Sequence, residues 1–219
     1  MNILAPTRPR ISIEIVFDLV CPWCFLGVQR LLRVIEARHD IQASLHWRPF
    51  LLNPDIAPGG VARQDWLTRK FGGEERARRL HGTLAELGAA EGIAFRFDLM
   101  RRVPSSLDGH RLLRWAGQQG PVEGLVQRLF EAYFCEGQDI GQAGVLAGIA
   151  ALEGHDPLAV RALLASPAET EWVHLENLRA HRLGINGVPC FLLEGQHAIA
   201  GAQEAEVLDR LLEVALAAG

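Results

Sequence analysis

The sequence predicts an α/β fold in which a βαβ unit and a ββα unit are separated by a long all-helical insertion. Three observations carry that reading. A strand-like run, a helical stripe and an alternating run follow one another between residues 11 and 47. Beyond a turn-rich connector, the chain up to residue 165 then carries helical periodicity. Finally, strand signals return near the C-terminus, ahead of a last helix.

Residues 11–17 (ISIEIVF) are rich in β-branched side chains and read as a strand. Val28, Leu31, Leu32 and Ile35 recur at helical spacing, and Ile41–Trp47 alternates with period two. Strand, helix and strand so close together imply a parallel pair joined by a right-handed crossover. LLNPDIAPGG, from Leu51, is a turn-rich connector. Beyond it lie three apolar stripes. They are Ala77, Leu80, Leu84 and Leu87; then Val122, Leu125, Val126, Leu129, Phe130, Tyr133 and Phe134; then Val145, Leu146, Ile149 and Leu152. Breaks are expected at Gly72–Gly73, Val103–Pro104, Gly120–Pro121, Gly137 and Asp156–Pro157. Val188–Leu193 and His197–Ala200 flank Glu194–Gly195–Gln196, a hairpin pattern. The last helix carries Val207, Leu208, Leu211, Leu212 and Ala215 on one face. The implied division is a tail over 1–10, a discontinuous α/β domain over 11–49 and 166–219, and a helical insertion over 50–165.

At 219 residues, with 49% hydrophobic and 22% charged side chains, the chain can bury a core without disulfide staples. A net charge of −4 argues against a nucleic-acid surface or a basic membrane anchor. Every apolar run is cut by charge, Gly or Pro, so no membrane span is expected. The opening MNILAPTRPR has no export-signal core, and a cytoplasmic location is expected. In that compartment a cysteine pair is more often catalytic or metal-binding than structural.

The pair is Cys21-Pro22-Trp23-Cys24, directly after a strand and opening a helix. Residues three apart on a helix are within disulfide reach. Pro22 at the first helical position costs no hydrogen bond. Cys21 at the helix N-terminus meets unpaired N–H groups and the macrodipole, which favour a thiolate. Thiol–disulfide exchange needs that pattern: Cys21 as nucleophile and Cys24 as the thiol that resolves the mixed disulfide. Two other readings stand beside it. Half a zinc site would need long-range ligands, since no second C-x-x-C or H-x₃₋₅-H follows at zinc-finger spacing. Inert packing would leave the Pro-Trp insert a coincidence. Trp23 could grip an apolar substrate or simply cover Cys24. Asp18 could be a buried acid near the pair or an exposed one.

A second informative segment is Gly184–Phe191 (GINGVPCF). Pro189, inside an apolar strand, cannot donate to a central ladder and needs an edge, a bulge or a special turn. A cis Val188–Pro189 bond would leave backbone groups facing a neighbouring site.

Strand–CPWC–helix, a helical insertion and a late Gly187-Val188-Pro189 before a hairpin resemble the DsbA-like branch of the thioredoxin superfamily. Four local strings are similar to its cytosolic FrnE-type oxidoreductases. They are Asp18–Leu19–Val20, Trp47–Arg48–Pro49–Phe50 with Asn53–Pro54, Leu107–Asp108–Gly109–His110–Arg111–Leu112, and Gly201–Ala202–Gln203. The resemblance spans about residues 11–215 and implies a thioredoxin-like fold. It implies that Pro189 is cis and packs against the cysteine pair. It implies too that Val188 offers backbone atoms to an extended substrate. The same resemblance puts the 104–112 segment over the redox site, making His110 a candidate substrate contact, although Ser105 or Ser106 as an N-cap accounts for that segment without one.

Cys190 departs from the bulky apolar residue usual after the proline. Strand alternation turns it away from the pair, as an inert thiol; pairing with Cys135 stays open. The expected activity is dithiol–disulfide exchange with a protein or small-molecule thiol or disulfide. No metal or bound cofactor is expected beyond the cysteine pair, with glutathione a candidate electron partner or substrate. The rivals are a glutathione-dependent isomerase or transferase on the same fold, and a non-redox peptide-binding or holdase module. Neither nucleic acid nor membrane is expected as a partner, and the sequence gives no oligomeric state.

Overall fold

A computed structural model describes residues 8–218. The tail expected over 1–10 therefore lies, for residues 1–7, outside the described residues. The chain runs β1 (Arg10–Phe17), α1 (Pro22–Ala37), β2 (Gln42–Pro49), β3 (Val61–Ala62), α2 (Arg63–Phe71) and α3 (Glu74–Ala90). It continues through β4 (Arg102–Val103), α4 (Leu107–Gly117), α5 (Glu123–Phe134), α6 (Ala143–Leu152) and α7 (Pro157–Ala165). It closes with α8 (Thr170–Arg182), β5 (Cys190–Leu193), β6 (His197–Ala200) and α9 (Ala205–Ala218).

The two ends of the sequence share one sheet, in the order β2-β1-β5-β6. β1 pairs parallel with β2, Ile13 opposite Leu45, and antiparallel with β5, Val16 opposite Cys190. Alternation along β1 sends Ile11, Ile13, Ile15 and Phe17 into the main core, which also takes α1, α5 and α9 side chains. Val16 points the other way, into a smaller cluster with Phe50, Ala180, Ile185 and Cys190 beneath α8. The thioredoxin-like α/β arrangement is thus a sheet covered on both faces.

The helical stripes differ in how well spacing predicts burial. All seven apolar positions of the α5 stripe are buried. On α3, Ala77 and Leu84 are buried but Leu80 is 38% exposed, and on α6 Leu152 is 68% exposed. The break signals fall at real ends: Gly72 caps α2 in the left-handed region, and Asp156 accepts from Leu158 N–H ahead of Pro157. Ser106 sits at the N-cap of α4 without a side-chain cap bond; Leu107 N–H instead donates to Ser105 Oγ at 3.4 Å. The insertion expected to be all-helical also holds a small ribbon, β3 with β4, which pins the base of the α2–α3 excursion, with Val61 opposite Val103. Gly60 makes that possible, since a Cβ there would lie 2.9 Å from the Val103 carbonyl oxygen.

Two buried arginines tie the layers together. Arg30 on α1 donates to the carbonyls of Ala202 and Gln203 (3.0 and 3.2 Å) and pairs with Glu91 and Glu204. Arg111 on α4 pairs with Asp108 and donates to the carbonyls of Leu163 and Ala168 at the α7–α8 connection. Burying a guanidinium is tolerable because each of its three nitrogens finds at least one acceptor.

Candidate active site

Cys21 is the N-cap of α1, with extended backbone (φ −100°, ψ 112°), and Pro22 opens the helix. Its carbonyl accepts from Cys24 N–H at 3.0 Å, so the first turn of α1 places the two cysteines on adjacent rungs. Cys21 N–H in turn donates to Asp18 O at 3.0 Å, which fixes the β1–α1 turn. All four cysteines are free thiols.

Cys21 retains 5% of its surface and Cys24 none. The Cys24 sulfur accepts from Asp18 N–H at 3.5 Å. Burial pushes the Cys24 thiol well above the usual cysteine range, and the adjoining Cys21 adds to that effect. Cys21 Sγ lies 3.7 Å from the Val188 carbonyl oxygen, within range of a weak S–H···O contact. The Val188–Pro189 peptide is cis, Pro189 is buried, and its carbonyl accepts from Gly201 N–H at 2.7 Å. Pro189 can approach α1 because Gly27 has no side chain: a Cβ there would lie 2.8 Å from Pro189 Cγ. Pro22, Trp23, Val188 and Pro189 are therefore gathered around Cys21, and Trp23 both lines the adjoining groove and packs on the main core.

Asp18 is fully buried. Its two oxygens accept from Val20 N–H (3.2 Å) and Leu52 N–H (2.7 Å), which joins the β1–α1 turn to the segment after β2. His110 is not brought to the groove. It is 2% exposed, stacks edge-on against Phe17, and its Nε2 lies 3.6 Å from Asp18 Oδ1, beyond hydrogen-bond length. The α4 turn that carries it packs inward, with Gly109 against Leu19, so the substrate contact expected of His110 has no geometric support.

The groove itself is a cavity of about 210 Å³ whose lining includes Cys21 and Trp23. Trp66 and Phe71 of α2, with Phe97 and Met100 of the segment before β4, form its apolar walls. Leu80 also lines it, which accounts for that leucine's exposure. Sequence reading missed this wall because its parts are distant in the chain. One local signal was available: Arg63, Trp66 and Lys70 recur at i, i+3 and i+7, which marks one face of α2.

Cys135 ends α5 against the main core, while Cys190 lies in the cluster on the opposite sheet face, so the two are not paired. Burial raises both thiols above the usual range. Among the described residues no group of three or more His, Cys, Asp or Glu side chains is arranged to hold a metal, and no helix is long and apolar enough to cross a membrane.

Comparison with known proteins agrees with this architecture. The family model of the DSBA-like thioredoxin domain matches residues 12–213. A probable DsbA oxidoreductase from Streptomyces coelicolor superposes with a TM-score of 0.86 at 32% identity, over 94% of this chain and 90% of that one. The cytosolic disulfide reductase DsbM from Pseudomonas aeruginosa superposes with a TM-score of 0.64 at 19% identity, over 95% and 100% of the two chains; it has also been solved with glutathione. The uncharacterised protein YwbO from Bacillus subtilis is 22% identical over 203 residues, 92% of this chain and 96% of its own. With the family model spanning nearly all of the described residues, this chain belongs to the DSBA-like thioredoxin domain family.

Proposed function

We propose that the protein is a thiol–disulfide oxidoreductase that exchanges disulfides through a mixed disulfide on Cys21, resolved by Cys24. The observation that carries this reading is the position of the Cys21 sulfur. It stands at the α1 N-cap, beside an apolar groove and 3.7 Å from the Val188 carbonyl, with a second thiol one turn inward. Attack by the Cys21 thiolate breaks the substrate S–S bond, and one substrate sulfur leaves as a thiolate. Cys24 then gives up its proton, which the released substrate thiolate can take, and attacks Cys21 Sγ. The second substrate thiolate leaves and the Cys21–Cys24 disulfide closes. The substrate has gained two electrons and the dithiol has lost two.

The raised Cys24 thiol suits this order. Part of its shift comes from the neighbouring Cys21 and vanishes once Cys21 is bonded to substrate, so Cys24 becomes easier to deprotonate when it is needed. Val188 supplies backbone atoms to an extended substrate, as in strand addition, while Pro22, Trp23 and Pro189 shape the contact. Protein or small-molecule disulfides are the substrates. A cytoplasmic location and glutathione as electron partner take their support from DsbM, described as a cytosolic disulfide reductase and solved with glutathione. Placement in the FrnE-type branch rests on the four local strings quoted above. The intact cysteine pair weighs against a glutathione-dependent isomerase or transferase, which resolves no mixed disulfide.

Reduction of a model protein disulfide by the reduced wild type, Cys21→Ser and Cys24→Ser tests the proposal. Cys21→Ser is expected to lose activity entirely, and Cys24→Ser to stall after one event. Equal activity in all three would remove the oxidoreductase reading and leave a non-redox binding module.

A further inference from the structure

The groove beside Cys21 has a charge character that exchange chemistry alone does not require. Among the described side chains lining it, two are cationic at neutral pH, Arg63 and Lys70, and none is acidic. The third titratable nitrogen group, His81, stacks on Phe97 at 4.2 Å, and its Nδ1 lies 3.4 Å from an Arg63 nitrogen. A guanidinium only donates, so Nδ1 accepts and the ring proton is assigned to Nε2. Burial, and then Arg63, lower His81 to about 4, so the imidazole is neutral at pH 7.

Lys70 is the single lysine among 22 basic residues. Its ammonium is placed by two neutral groups: the Trp66 ring, 4.7 Å away, and Asn53 Oδ1 at 3.4 Å. Both contacts hold the charge at the groove while leaving it unneutralised. The groove runs on into a wider cavity of about 490 Å³, which shares Arg63, His81, Phe97 and Met100 and adds Arg78 and Arg101. The acid lining that cavity, Asp98, is held by Arg96 through two bonds of 2.8 Å. Arg78 meets Glu75 in an exposed pair at 3.4 Å, which neutralises it only weakly. A positive mouth on a chain of net charge −4 is a local feature and not an average one.

We propose that this groove selects disulfides whose sulfur-bearing group is aromatic or apolar and carries a negative charge, with Trp66, Phe97 and Met100 taking the apolar body and Lys70 the charge. The inference rests on the exchange reading and adds a substrate class to it. In such a reaction the Cys21 thiolate attacks one sulfur, the anionic thiolate leaves, and Cys24 expels the second while the protein disulfide closes. Two electrons pass from the dithiol to the substrate.

The test uses the full reduced chain and three small disulfides: dithiobis-nitrobenzoate (aromatic, dianionic), dithiodipyridine (aromatic, neutral) and cystamine (aliphatic, dicationic). Rates are measured at low and high salt for wild type, Lys70→Gln, Lys70→Glu and Arg210→Gln, an exposed charge change on α9 outside the groove. The readout is the ratio of anionic to neutral reagent rates, in which general loss of reactivity cancels. That ratio is expected to fall about threefold in Lys70→Gln and about tenfold in Lys70→Glu, and in wild type to shrink with salt. Cystamine should gain in Lys70→Glu, and Arg210→Gln should match wild type. A ratio unchanged by both Lys70 variants, with wild-type exchange intact, would overturn the charge selection and leave the exchange reading standing. No exchange by wild type with any reagent would overturn the exchange reading and this inference with it.

Discussion

Gly27→Ala is expected to lower exchange activity far more than stability. Gly27 lies inside α1, where alanine alone would add about 1 kcal/mol of helix propensity. The new Cβ, however, would sit 2.8 Å from Pro189 Cγ, 3.2 Å from Ala202 Cα and 3.4 Å from Ala202 Cβ. Carbon atoms pack best at about 3.5–4.0 Å, so the proline must retreat by about 0.7–1.2 Å. Ala202 cannot yield instead, because buried Arg30 holds its carbonyl at 3.0 Å and that of Gln203 at 3.2 Å. Overpacking of this kind costs about 1–3 kcal/mol, leaving a net loss of about 0–2 kcal/mol and a Tm lower by up to about 8 °C. The retreat carries the Val188 carbonyl away from Cys21 Sγ, now 3.7 Å distant. Displacements of that size in a reacting site cost about tenfold to a hundredfold in rate. Calorimetry and the rate of model-disulfide reduction, on the same preparation, read both effects. Gly148→Ala is the control, since a Cβ at that position on α6 meets nothing within 4 Å. A Gly27→Ala protein with raised Tm and wild-type rate, like the control, would refute the argument that α1 and the Pro189 loop are fitted to each other.

Two further substitutions probe the surroundings of the pair. Asp18→Asn keeps the shape but turns one of two accepting oxygens into an NH₂ facing Val20 or Leu52 N–H, so stability in urea should fall by about 1–3 kcal/mol. An unchanged urea midpoint would mean that those two bonds do not hold the turn. His81 takes up its proton only near pH 4 when folded, against 6.5 when unfolded. The unfolded chain therefore binds more protons between those values, and the stability that His81 contributes is complete above 6.5 and lost on acidification toward 4. His81→Phe should show a shallower loss of stability over that window than wild type, and an identical slope would contradict the buried, neutral imidazole.

Three of the four strings similar to the FrnE-type oxidoreductases have separate physical meanings in the structure. Asp18–Leu19–Val20 is the turn whose buried carboxyl and N–H groups brace Cys24 and Leu52. Gly109 lets α4 approach Leu19, and Arg111 closes the α7–α8 connection. Ala202 and Gln203 are the acceptors for Arg30 behind Pro189. Periodicity and turn chemistry made the sheet and most helices legible, because burial on one face imposes a repeat. Two kinds of feature lay beyond it. Leu80 obeys its stripe yet lines a groove, and Leu152 obeys its stripe yet faces solvent, since spacing defines a face without naming what covers it. The groove wall is assembled from α2 and the 97–100 segment, brought together by the β3–β4 ribbon, whose two-residue strands are too short to show a pattern. His110 illustrates the converse: a titratable residue in a suggestive string that packs inward against Phe17 and Asp18.

In the proposed exchange, Cys21 forms the covalent link to substrate and Cys24 breaks it. Intact mass and peptide mapping after the reduced protein meets a small disulfide test this directly. Cys24→Ser should carry one reductant-sensitive adduct, mapped to Cys21, whereas wild type should end free of adduct and two hydrogens lighter through a Cys21–Cys24 bond. An adduct confined to Cys135 or Cys190, or a wild type that retains its adduct as Cys24→Ser does, would contradict the account.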